Sequence, residues 1–173
     1  MTEVSVYLGL GSNLGDRRKQ LETAVRLLDE ALGTPYAALS EIRETASWGF
    51  DGPDFLNAVV RYTLVWKGSP ESHGLELLSL CKRIEREMGR TEAPEVDAAG
   101  VRRYRNRPID IDLLFYGTER IRVPGLTVPH PLIGRRPFVL EPLADVLEPD
   151  IRSAFPEIFS APDPTSAGNE AEK

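Results

Sequence analysis

Asp110 and Asp112 stand one residue apart in Pro108-Ile109-Asp110-Ile111-Asp112-Leu113-Leu114-Phe115, a run otherwise rich in strand formers. Side chains on a strand alternate between faces. Ile109, Ile111, Leu113 and Phe115 are therefore expected on one face and both aspartates on the other, with their Cα atoms roughly 6.5 Å apart. Neighbouring carboxylates repel, so such a pair persists where something positive sits between them. Mg²⁺ is suited to that role, because it takes one or two carboxylates and completes its shell with phosphate oxygens and water. The plainer alternative is a solvated edge face. Arg102, Arg103, Arg105 and Arg107 precede the pair, with Tyr104 among them. Guanidinium groups match phosphate geometry and stay charged at working pH; alone, they read equally well as a solvated basic loop. Carboxylates able to hold metal beside a basic loop are what phosphoryl transfer needs, since that chemistry asks for charge neutralisation and alignment more than covalent help.

Phe55-Leu56-Asn57 adds a second constellation. Phe55 and Asn57 share a strand face, where a ring can stack on a flat heterocycle and a carboxamide can bond its edge. A core Phe beside an Asn at a strand bend is the alternative. Gly9-Leu10-Gly11-Ser12-Asn13-Leu14-Gly15 lacks the Gly-Lys-Ser/Thr ending of a P-loop, and Leu14 stands where a G-x-G-x-x-G loop has its third glycine. It reads as a tight turn from strand to helix. With only His73 and His130 and the single Cys81, a histidine-rich zinc site is excluded, and no Ser/His/Asp arrangement stands out.

The elements that must position these residues follow from periodicity. Residues 4–10 alternate as a first strand, and 11–16 read as a turn with Asp16 as helix N-cap. Leu21, Val25, Leu28 and Leu32 recur at helical spacing up to Gly33. Strands are expected over 36–45 and 55–66. A helix starts at Ser69-Pro70, carries Leu77, Cys81, Ile84 and Met88 on one face, and ends near Gly89. Residues 90–107 have many charges and no apolar period, and so read as a long, functional loop that a ligand orders. A strand over 109–116 follows, then a hairpin turn with a short strand over 117–124. Residues 127–137 read as a proline-punctuated loop with a helical turn, and 138–147 as a short helix. The order β-α-β-β-α-β suggests an α+β, ferredoxin-like sandwich with a largely antiparallel sheet.

The 173 residues fit one domain, taken here as 1–159, with 160–173 expected to be a disordered acidic tail. The net charge of −6 argues against nucleic acid as a partner. No apolar run reaches membrane-spanning length, and the N-terminus has no signal-peptide pattern. With one cysteine, Cys81, assigned to a helical core stripe, a cytoplasmic protein is expected.

Four stretches in register resemble one family: residues 8–16, residues 53–58, residues 107–114, and Val128-Pro129-His130-Pro131 followed by Arg136-Pro137-Phe138-Val139-Leu140. Over about residues 4–150 the chain is similar to the 6-hydroxymethyl-7,8-dihydropterin pyrophosphokinases. That resemblance implies a modified ferredoxin-like α-β-α sandwich, acting as a monomer on ATP and the pterin without nucleic acid or membrane. It implies transfer of diphosphate from ATP to the pterin hydroxymethyl group, with two Mg²⁺ ions on Asp110 and Asp112. Thr45, Phe55, Asn57 and Phe138 would form the pterin pocket, with Trp48 at its mouth. Glu85, Arg90, Tyr104, Arg107, Ile111, Thr127, His130 and Arg136 would line the ATP site, Arg90 and Arg107 acting in catalysis. Three mobile loops would fall near 11–16, 46–53 and 90–107. The chain departs from the family pattern at Tyr104-Arg105-Asn106-Arg107, where Trp-Gly-Pro-Arg is common, and at Ala46-Ser47-Trp48, where proline is common. The rivals are a two-metal phosphoesterase, which would hydrolyse esters without an acceptor, and a non-catalytic ligand-binding module.

Overall fold

The computed structural model describes residues 2–46, 53–89 and 108–159. Trp48, Arg90, Tyr104, Arg107, the rest of the 90–107 loop and the expected tail from 160 lie outside them. The leading strand, β1 (Thr2–Ser12), is followed by α1 (Arg17–Leu32), β2 (Ala38–Leu39), β3 (Arg43–Thr45) and β4 (Phe55–Trp66). Then come α2 (Pro70–Glu87), β5 (Asp110–Tyr116) and the hairpin β6 (Ile121–Val123) and β7 (Leu126–Val128). A 3₁₀ turn over Ile133–Arg135 leads to α3 (Pro137–Ala144), α4 (Pro149–Ala154) and α5 (Pro156–Phe159).

Local chemistry sets the helix ends. The Asp16 carboxylate accepts the Lys19 N–H at 3.2 Å and caps α1, while Gly33 closes it at φ 71°, in the left-handed region glycine tolerates. Ser69 caps α2 ahead of Pro70, whose missing N–H costs nothing in the first turn. The main sheet runs β2-β4-β1-β5, with β3 also on β4, and every pairing is antiparallel. That is the ferredoxin-like sheet the element order suggested. The expected strand over 36–45 is split at Ser40, whose N–H still donates to the Val59 carbonyl at 2.9 Å but whose hydroxyl, in place of its carbonyl, accepts the Val59 N–H at 2.8 Å.

Each sheet face has its own core. Val6, Leu8 and Leu10 of β1 meet Ala58, Val60 and Tyr62 of β4, under Leu21, Ala24 and Leu28 of α1 and Leu77, Cys81 and Ile84 of α2. Tyr7, Val59, Leu114 and Phe115 form the other face, beneath Ile133, Val139, Leu143, Val146, Ile151 and Phe155. The result is an α-β-α sandwich. Two readings of the sequence change here. The first strand, expected over 4–10, runs on through Ser12, so residues 11 and 12 are central strand and the turn occupies 13–16. The alternation expected along β5 breaks at Leu114, where a bulge between the pairs Leu8↔Leu113 and Tyr7↔Phe115 inserts one residue. Ile109, Ile111 and Leu113 keep the first core, but Phe115 turns to the second, edge-on to Tyr7 at 5.8 Å between ring centroids.

At the sheet end carrying Trp66, the His73 ring stacks on the indole at 4.2 Å, and its Nδ1 lies 2.7 Å from the Tyr116 hydroxyl. Burial lowers the His73 pKa, opposed by Glu76. The unfolded chain therefore takes up a proton that the folded chain refuses, so this histidine removes stability as pH falls through its ordinary value near 6.5. Between about pH 7.5 and about pH 5.5, the urea midpoint of wild type should drop more than that of His73→Gln. Phe155→Ala, emptying a fully buried site in the second core, should cost about 3–5 kcal/mol in the same measurement.

Candidate active site

The register of β1 between its neighbours builds the site floor. Gly11 pairs with Asn57 on one side and Asp110 on the other, and Asn57 pairs with Arg43. One row across four strands therefore reads Arg43, Asn57, Gly11, Asp110. In the next row Gly9 lies between Val59 and Asp112. Strands are about 4.8 Å apart, so Asn57 and Asp110 stand roughly 10 Å apart across Gly11, while in the Asp112 row the Leu114 side chain lies over Gly9, 3.4 Å from where a Cβ would be. A Cβ on Gly11 would stand 3.1 Å from Asn57 Oδ1 and 3.4 Å from Phe55 Cδ1. Sequence reasoning put Gly9 in the first strand and Gly11 in the turn, and gave neither a place in the site. Their role was readable from period: Gly9 and Gly11 repeat at the same spacing as Asp110 and Asp112.

On the carboxamide side, Asn57 Nδ2 donates to Thr45 Oγ1 at 2.6 Å, and Thr45 pairs with Phe55. Thr45, Phe55 and Asn57 are thus brought together as expected. Asn13 Nδ2 donates to the Pro53 carbonyl at 3.2 Å, and Arg17 reaches both the Asp54 carbonyl at 2.8 Å and the Glu44 carboxylate at 3.0 Å. Asn13 and Arg17 thereby hold both ends of the segment that contains Trp48, a task sequence reasoning did not give them.

On the carboxylate side, Asp110 and Asp112 share the face opposite Ile111. Arg136, the N-cap residue of α3, brings Nη1 to 3.8 Å from Asp112 Oδ2, with its guanidinium carbon 5.7 Å from the Phe138 ring centroid. The Ile111 side chain is buried in the first core, which leaves its backbone as the part able to meet a ligand. Its N–H donates to Glu85 Oε2 at 2.8 Å. Buried Glu85 thus caps the open edge of β5 between the two aspartates. His130 N–H donates to the carbonyl of the bulge residue Leu114 at 3.1 Å, and its ring Nδ1 accepts the Leu132 N–H at 3.3 Å. The ring proton is then on Nε2. Burial, then the nearby Arg136 charge, lower the His130 pKa, against Asp110; the ring is a neutral donor at working pH. Thr127 is exposed on β7, turned away from Leu126 and Val128, which pack in the first core.

Hard carboxylates facing a guanidinium, across bare backbone from an amide and an aromatic ring, define an enzyme of phosphoryl transfer. A sequence profile of the 7,8-dihydro-6-hydroxymethylpterin-pyrophosphokinase (HPPK) family matches residues 7–148. The chain is 43% identical over 143 residues to a Porphyromonas gingivalis protein named 2-amino-4-hydroxy-6-hydroxymethyldihydropteridine pyrophosphokinase, over 82% of this chain and 89% of that one. A protein of the same name from Aquifex aeolicus is 37% identical over 148 residues, 85% of this chain and 82% of its own. In fold it is similar to a crystal structure of HPPK-DHPS in complex with substrates, at TM-score 0.61 and 14% identity, over 91% of this chain and 43% of that chain. The chain belongs to the 7,8-dihydro-6-hydroxymethylpterin-pyrophosphokinase family and is an ATP-dependent transferase.

Glu85→Ala strips the Ile111 amide of a charged acceptor in a buried setting. Hydrogen exchange at that amide should accelerate, and the unfolding free energy should fall by about 1.5–3 kcal/mol.

Proposed function

We propose that the chain moves the β,γ-diphosphate of ATP onto the hydroxymethyl oxygen of 6-hydroxymethyl-7,8-dihydropterin, giving AMP and the pterin diphosphate of folate biosynthesis. The observation that carries this reading is the row Asn57–Gly11–Asp110, which sets a heterocycle-recognising carboxamide and a metal-competent carboxylate on one surface with nothing between them.

Thr45 and Asn57 offer hydrogen bonds to the pterin edge, and the Phe55 and Phe138 rings sandwich its faces, with Trp48 at the pocket mouth. Without a side chain at Gly11, the hydroxymethyl arm can pass from the Asn57 amide and the Phe55 ring towards β5. The Arg136 guanidinium and the neutral His130 Nε2–H are placed to hold phosphate oxygens. Glu85, Ile111, Thr127, Arg90, Tyr104 and Arg107 complete the nucleotide side of this reading.

The donor set suits magnesium. Asp110 and Asp112 present hard oxygens, and among the described residues no group of three His, Cys, Asp or Glu forms a full protein cage. An ion that relies on one or two carboxylates and takes its remaining ligands from phosphate matches such a site. Two Mg²⁺ ions bound there would neutralise the phosphates and polarise the β-phosphorus. In the transfer, the hydroxymethyl oxygen bonds to the β-phosphorus, the bond from that phosphorus to the α,β-bridging oxygen breaks, AMP leaves, and the hydroxyl proton passes to solvent. Action as a monomer and residence in the cytoplasm, the latter expected from the single cysteine of the chain, complete this reading.

Purified chain given Mg-ATP and 6-hydroxymethyl-7,8-dihydropterin should form AMP only when the pterin is present, as resolved by chromatography. ADP or free phosphate would point instead to another phosphoryl enzyme. Asp110→Ala should lower AMP formation by at least about 10²-fold and weaken metal-nucleotide binding; near wild-type turnover would remove the aspartates from the reaction.

A further inference from the structure

Asp145 is the C-cap residue of α3, where the helix dipole disfavours an anion. It is held there from across the molecule. Arg43 of β3 grips it in a two-pronged pair, Nη1 to Oδ2 at 2.9 Å and Nη2 to Oδ1 at 3.1 Å, and the Glu41 backbone N–H donates to the same Oδ2 at 3.1 Å. The guanidinium holds the Asp145 carboxyl below its ordinary range. What this pair joins is telling. β3 carries Thr45, partner of Asn57, and Arg43 itself is opposite Asn57 in the sheet. α3 carries Phe138 in its first turn, directly after Arg136 and Pro137. One wall of the proposed pterin slot thus stands on β3 and β4, the facing ring stands on α3, and the Arg43–Asp145 pair ties the two supports together away from the slot.

We infer that Arg43 and Asp145 are positioning residues for the pterin: their forked ion pair fixes α3 relative to β3 and so sets the gap between the Phe138 ring and the Phe55–Asn57–Thr45 wall. This rests on the pterin pocket proposed above and adds to it a determinant outside the pocket. The geometry of the fork matters as well as its charge. Two parallel N–H···O bonds fix the orientation of the carboxylate plane, which a lysine ammonium does not. Both partners are partly exposed, so their value lies in alignment more than in global stability. A flat heterocycle gains from stacking only at a narrow ring separation, so a small tilt of α3 is felt at the pterin. The nucleotide side shares α3 only through Arg136, its N-cap residue, and has attachments of its own: His130 bonds Leu114, and Glu85 bonds Ile111.

The test measures binding of two ligands to wild type, Arg43→Ala, Arg43→Lys, Asp145→Ala and the double alanine variant. Calorimetry reads 6-hydroxymethyl-7,8-dihydropterin binding in the presence of Mg²⁺ and α,β-methylene ATP, and separately the binding of that nucleotide analogue alone. Each single alanine variant should bind the pterin about tenfold more weakly, since small misplacements far from the reacting atoms carry losses of this order or larger. The double variant should be no worse than the singles, as for two halves of one contact. Arg43→Lys should fall between wild type and Arg43→Ala, and nucleotide affinity, which depends on α3 only through Arg136, should fall several-fold less than pterin affinity. Unchanged pterin affinity in the alanine variants, with wild type binding normally, overturns the inference alone. Equal weakening of both ligands reduces the pair to general stabilisation and overturns it too. A wild-type chain that takes up nucleotide but no pterin overturns the substrate reading, and the inference with it.

Discussion

The site depends on the register in which β1 lies between β4 and β5. Side chains on a strand alternate, so a slip of one residue would send Gly9 and Gly11 into the core and turn Leu8 and Leu10 towards the aspartates. The first core prevents this. Val6, Leu8 and Leu10 are buried under α1 and α2, and a one-residue slip would turn all of them out of that core. Hydrophobic burial on one face thereby fixes where a carboxamide and two carboxylates stand on the other.

The two faces divide their tasks. The face under α1 and α2 is apolar along its whole length. The other is apolar only where Tyr7, Val59, Leu114 and Phe115 meet the C-terminal helices, and it turns polar beyond Gly9. The bulge at Leu114 marks the change. It turns Phe115 into the second core, and the Leu114 carbonyl takes the His130 N–H, bringing that ring to the polar end. Glu85 crosses from the first face to the edge of β5, so the helix that completes the core also steadies the strand bearing the aspartates.

Much of this was legible in the sequence because it rests on short-range rules. Asp16, Gly33 and Ser69-Pro70 are local signals, and α1 begins and ends, and α2 begins, where those residues place them. Period two put Asp110 and Asp112 together and paired Phe55 with Asn57. The misreadings are non-local. Nothing in residues 109–116 announces a bulge, which arises from how β5 lies against β1. Gly11 looked like a turn residue, and Gly9 like an ordinary strand position, because a glycine's local preference says nothing about the side chains on adjacent strands. The Arg43–Asp145 contact joins residues 102 apart, and only the folded chain brings them together.

The second core draws Tyr7 from the start of the chain and Ile151 and Phe155 from beyond residue 148, with the Tyr7 hydroxyl bonded to the Glu148 carboxylate at 3.0 Å. The first core needs nothing later than Val128. During synthesis on the ribosome, which releases the N-terminal part first, one side of the sheet can close while the other still shows Tyr7, Val59, Leu114 and Phe115 to water. A chain released only to Val128 holds the described buried members of the first core and lacks those that cover the second, so the face left in need of a cover is the seat of α3, α4 and α5.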